Sequence, residues 1–114
     1  MNPVGTLTWL PDGQSQEAFE ELSLTVHAML SDRVHRQACG GQADCGTCRI
    51  RVVEGAENLS PPTVDERALV AEFPDCFEAE HRLACQCRPT GHVTVEIPRG
   101  IRDLRYAKGT LDPG

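Results

Sequence analysis

Four cysteines restrict this chain more than any other feature. Cys39, Cys45, Cys48 and Cys85 follow the spacing C-x5-C-x2-C, then 36 residues, then C. A loop carrying three thiols within ten residues can wrap around a metal group, and a fourth thiol from elsewhere in the chain closes the cage. The donor set is soft, which suits iron-sulfur clusters and zinc. A 2Fe-2S rhomb needs two thiolates per iron, four in all. Structural zinc sites usually combine two short C-x2-4-C knuckles. Here only Cys45 and Cys48 form one, so a zinc-stabilised interaction module is the weaker expectation.

The residues between the thiols fit a cage. In the segment Cys39-Gly40-Gly41-Gln42-Ala43-Asp44-Cys45-Gly46-Thr47-Cys48, Gly40, Gly41 and Gly46 let the backbone come close to inorganic sulfide. Backbone N–H groups in such a loop can donate to sulfur and raise a reduction potential. In Arg82-Leu83-Ala84-Cys85-Gln86, the small Ala84 leaves room beside the metal. These two segments resemble the 2Fe-2S ferredoxins of adrenodoxin and bacterial type, over roughly residues 5–98. Plant-type ferredoxins are less similar, because their first gap is x4.

The resemblance implies an α+β chain with a β-grasp fold, in which a mixed sheet packs on a helix beside a cluster-binding loop. It implies one 2Fe-2S cluster on Cys39, Cys45, Cys48 and Cys85, supported by Gly40, Gly41, Gly46, Thr47 and Ala84. It also implies a one-electron cycle and no catalysis by the protein itself. The expected partners are a flavin-containing reductase and an oxygenase, monooxygenase or biosynthetic acceptor. In the adrenodoxin branch, acids on the helix before the last ligand dock basic partners, and Asp65, Glu66 and Glu72 lie in the matching segment. A cluster-dependent redox sensor is the alternative from another class.

Charge agrees with such partners. The chain has 17 acidic and 11 basic side chains, a formal net charge of −6. That field repels nucleic acid on average. Eight acids and one base, Arg67, lie between Glu54 and Glu80, while residues 99–114 carry four bases and two acids. No run of about 18 apolar residues is present, and the first residues lack a secretory pattern. A cytoplasmic chain without a membrane span is therefore expected.

The 114 residues suit one domain. Periodicity predicts strands over 6–10, 14–20, 49–53, 82–87 and 93–97. A helix is expected near 23–31, with Ser23 as N-cap and Leu22, Val26, Met29 and Leu30 on its apolar side. A second helix is expected after Thr63, with Thr63 and Glu66 as a capping box, Ala68, Leu69 and Phe73 apolar, and Pro74 as terminator. The domain is placed at 1–98 and a basic tail at 99–114. Trp9 is expected in the core. Cys76 and Cys87 are read as small buried hydrophobes; since Cys87 shares a strand face with Cys85, it is also a spare ligand or an oxidation-sensitive thiol. His81, four residues before Cys85, is read as a surface histidine.

Overall fold

The computed structural model describes residues 2–31, 48–98 and 104. Strand β1 (Gly5–Leu10) alternates, with Leu7 and Trp9 buried on one side. It turns through Pro11–Gly13 into β2 (Gln14–Ala18). Helix α1 (Leu24–Leu30) follows, then β3 (Arg49–Glu54), helix α2 (Val64–Glu72), β4 (His81–Leu83) and β5 (Val93–Glu96). Short 3-10 turns at Ala56–Asn58 and Pro74–Cys76 flank α2.

The sheet order is β2-β1-β5-β3-β4. Strand β5 runs parallel to β1, with Leu7 opposite Val93 and Trp9 opposite Val95, and antiparallel to β3. The other pairs are antiparallel. This is the mixed sheet of an α+β, β-grasp chain. Leu7, Trp9, Ile50, Leu83 and Val95 meet Leu24 and Ala28 of α1 in one core. A register shift between Val52 and Glu54 puts an extra residue, Val53, into β3. The following Gly55 has φ +82, and a Cβ there would stand 2.3 Å from the His92 carbonyl oxygen. Only glycine fits both the left-handed backbone and that approach.

Both helix starts behave as their sequences predict. Ser23 Oγ accepts from Val26 N at 3.3 Å, and Thr63 Oγ1 from Glu66 N at 3.1 Å. The capping box at α2 is only half made, because the Glu66 side chain bonds elsewhere. The buried face of α1 also differs from expectation. Leu24, Thr25, His27 and Ala28 are inside, while Met29 is 60% and Leu30 64% exposed. Histidine is tolerated inside because both ring nitrogens are bonded. Phe19 N donates to Nε2 at 2.9 Å, and Nδ1 donates to the Ser23 carbonyl at 2.7 Å. Trp9 Nε1 donates to Gln16 Oε1, whose Nε2 donates to the His27 carbonyl, tying hairpin to helix.

Beyond the expected boundary at residue 98, Leu104 is 1% exposed and belongs to the core.

Candidate metal centre

The pairing of β3 with β4 brings two of the predicted ligands together. Arg49 lies opposite Leu83, and Ala84 N donates to the Cys48 carbonyl at 3.1 Å. Cys48, just before β3, and Cys85, just past β4, therefore sit side by side. Their sulfurs are 3.4 Å apart. That is well beyond the roughly 2.05 Å of a disulfide. It is close to the roughly 3.8 Å separating two thiolates on one tetrahedral metal with metal–sulfur bonds near 2.3 Å. The donor chemistry and the spacing of this pair fit a thiolate-held cluster. Cys39, Gly40, Gly41, Cys45, Gly46 and Thr47 lie outside the described residues.

The turn bearing Cys85 is anchored by α1 and by α2. The first N–H groups of α1 need acceptors outside the helix. Leu24 N finds the Cys87 carbonyl and Thr25 N the Ala84 carbonyl. Ala84 is fully buried. On the α2 side, Glu66 is 2% exposed. Its carboxylate accepts from Arg82 Nε at 2.7 Å, Arg82 Nη2 at 3.1 Å and Leu83 N at 3.1 Å. Glu66 is thus an internal tie between α2 and β4, which corrects its expected docking role. Asp65 and Glu72 are exposed on the same helix.

Residues 84–86 form a turn, not a strand, so Cys85 and Cys87 do not share a strand face. Cys85 is half-buried, whereas Cys87 is fully buried in the core. Burial pushes the Cys87 thiol up to about 12, with Glu66 acting in the same direction and Arg82 opposing. It is a protonated core residue, as the hydrophobe reading expects. Cys76, by contrast, is exposed. His81 is half-buried in β4, where its Nδ1 accepts from Glu78 N at 3.1 Å.

Arg49 had no structural role in the sequence reading. Its side chain is buried directly after Cys48, donates to the Cys76 carbonyl and lies 4.9 Å from the centre of the Phe77 ring. Periodicity gave no sign of this, since a strand residue beside a ligand can as readily face solvent.

A family model described as the 2Fe-2S iron-sulfur cluster binding domain matches residues 7–90. The chain belongs to that family. Its cofactor is one 2Fe-2S cluster, which displaces zinc as a reading of the thiols. This 2Fe-2S domain is 37% identical over 60 residues to 2Fe-2S ferredoxin-5 of Aquifex aeolicus, covering 53% of this chain and 62% of that one. It is 37% identical over 77 residues to chlorosome protein J of Chlorobaculum tepidum, covering 67% of this chain and 33% of that one. The chain thus spans about a third to three fifths of the length of these two curated relatives. Among solved structures, the ISC-like ferredoxin FdxB of Pseudomonas putida superposes with a TM-score of 0.72 at 26% identity. That match covers 83% of this chain and 93% of that one. Among the described residues of the 2Fe-2S domain, no helix is long and apolar enough to cross a membrane.

Proposed function

We propose that this 2Fe-2S domain is a one-electron carrier whose cluster is held by Cys39, Cys45, Cys48 and Cys85. It takes electrons from a flavin-containing reductase and delivers them to an oxygenase, monooxygenase or biosynthetic enzyme in the cytoplasm. The observation that carries the reading is the 3.4 Å approach of Cys48 and Cys85, which flank the same end of the antiparallel β3–β4 pair. The cluster supplies reversible uptake of one electron when bound. The protein's part is to fix the thiolates, keep the surroundings rigid and present a charged rim.

Rigidity comes from the ladder behind the two thiols and from the anchors on Ala84 and Leu83. A fixed cage limits the movement that accompanies a change of charge. The rim comes from Asp65 and Glu72 on α2, with Asp75, Glu78 and Glu80 exposed just beyond. Small, short-lived encounters between redox proteins are steered by such charge, and the sign favours a basic partner face.

Replacing Cys39, Cys45, Cys48 or Cys85 by alanine is expected to abolish the native cluster, while Cys76→Ala and Cys87→Ala keep it. Iron and sulfide analysis checks this, with electron paramagnetic resonance before and after dithionite. The wild type should be silent when oxidised and give about one spin per chain when reduced. A fully loaded, stable cluster in Cys85→Ala would defeat the ligand assignment.

A further inference from the structure

A hydrogen-bonded chain runs from the start of α2 to Cys85. Glu66 N donates to Thr63 Oγ1 at 3.1 Å, and the Thr63 hydroxyl donates to Gln86 Oε1 at 2.7 Å. The same carboxamide reaches Cys85 Sγ through Nε2 at 3.5 Å, within hydrogen-bonding range for sulfur. Each link supports the next. Because Thr63 Oγ1 already accepts the helix N–H, its own proton is available for Gln86. An amide whose oxygen takes that proton turns its Nε2 toward the sulfur. Turned over, the amide would set Oε1 against Sγ, an acceptor facing an acceptor.

The backbone holds this arrangement. Gln86 N donates to the Leu83 carbonyl at 2.9 Å, closing the turn. The carboxamide borders a groove of about 430 Å³ lined by Ser60, Pro61, Thr63, Cys85, Gln86 and Arg88. Of the two described ligand candidates, Cys48 is buried and Cys85 is the one that borders this groove, where water can reach its sulfur. A side-chain donor fixed by a helix cap replaces that variable contact with a constant one.

We propose that Gln86 is a positioning residue for the cluster, held by Thr63, and that its Nε2–H···Sγ bond to Cys85 raises the reduction potential. This rests on Cys85 being a ligand. The physical reason is that reduction adds a negative charge, part of which falls on the thiolate sulfurs. A donor aimed at one of them therefore binds the reduced state better than the oxidised one.

The test is a potentiometric titration of the intact holoprotein, with resonance Raman spectra of the iron–thiolate stretches. In Gln86→Leu the equilibrium for reduction should fall about threefold to tenfold, the weight of one hydrogen bond. That corresponds to about 30–60 mV for one electron. The iron–thiolate stretches should move to higher frequency, since an unbonded thiolate binds iron more strongly. Thr63→Val should shift both readouts in the same direction by less, and Thr63→Ser should restore them. An unchanged potential in a fully loaded Gln86→Leu protein would overturn the proposal, as would a changed potential with unmoved stretches. If Gln86→Leu does not load, Thr63→Val against Thr63→Ser decides by the same two readouts. Cys85→Ser, run alongside, separates the premises. An unaltered cluster spectrum there sinks the ligand assignment, whereas an altered one with a silent Gln86→Leu sinks only the present proposal.

Discussion

Glu66 shows how far a single side chain can depart from its local context. It lies in an acidic stretch and on a helix, and both facts suggest a solvated face. What decides its fate is Arg82, distant in sequence but 2.7 Å away in the fold. Side-chain exposures of 3% for Glu66 and 15% for Arg82 leave little water to take over from either partner. Removing one member of such a pair typically costs about 3–5 kcal/mol. Glu66→Gln is therefore expected to lower the urea midpoint by about 1–5 M, given slopes of about 1–3 kcal/mol/M. Equilibrium denaturation at fixed cluster content checks this, and an unmoved midpoint would mean the pair does not secure β4. The 2Fe-2S cofactor was readable in the cysteine spacing because ligand chemistry depends on residue type. Glu66 was not, because burial depends on which element arrives opposite.

His27 was unreadable for a related reason. Its place inside is set by Phe19 and by the helix's own Ser23 carbonyl, neither of which leaves a periodic trace. Burial lowers its affinity for a proton, partly offset by the Ser23 contact. The unfolded chain, with the ordinary value of about 6.5, then binds more protons than the folded one. The contribution to stability is complete above about pH 6.5 and is lost as pH falls through that value toward the lowered one. Thermal unfolding of wild type between about pH 7.5 and 5.5 should show a decline that His27→Gln reduces. Parallel curves for the two proteins would exclude His27 as the source.

At the scale of elements, β1, β3, β5 and both N-caps were legible because alternation and capping are local, whereas the strand expected over 82–87 ends at Leu83 and gives way to a turn. The face of α1 was not, since Met29 and Leu30 are as apolar as Leu24, and only docking on the 84–87 turn selects the buried side. Between β3 and α2 the chain depends on Gly55. Gly13 offers an internal comparison, with φ +76 but open space where a Cβ would stand. Gly13→Ala should cost about 1–2 kcal/mol for the left-handed backbone. Gly55→Ala should cost visibly more, because its Cβ also meets the His92 carbonyl. Denaturation midpoints of the two variants measure the difference, and equal losses would show that the crossing next to β5 has slack.

For the whole molecule, charge is the property that organises encounters. The formal −6 becomes about −8 with an oxidised cluster, since four thiolates, two ferric ions and two sulfides add −2. With Glu66 removed from the exposed set, Asp65 and Glu72 are the exposed carboxylates of α2. Neutralising both, as Asp65→Asn with Glu72→Gln, is expected to slow reduction by a flavin reductase several-fold at low ionic strength and little at high salt. Stopped-flow rates against salt give the answer. Equal rates for variant and wild type throughout would leave these acids as solvated surface only.

The parallel contact of β1 with β5 also determines how the domain answers to force. The chain enters β1 at one end of that pair and leaves β5 at the opposite end. Tension between those two points does not peel the strands apart one hydrogen bond at a time. It slides them past each other, so the backbone hydrogen bonds of the pair carry the load together and must fail together. Cys48 and Cys85, beside β3 and β4, lie off that line. Pulled by its flanks, the molecule would yield at its central seam, and the two sulfurs would feel the strain only after the seam had gone.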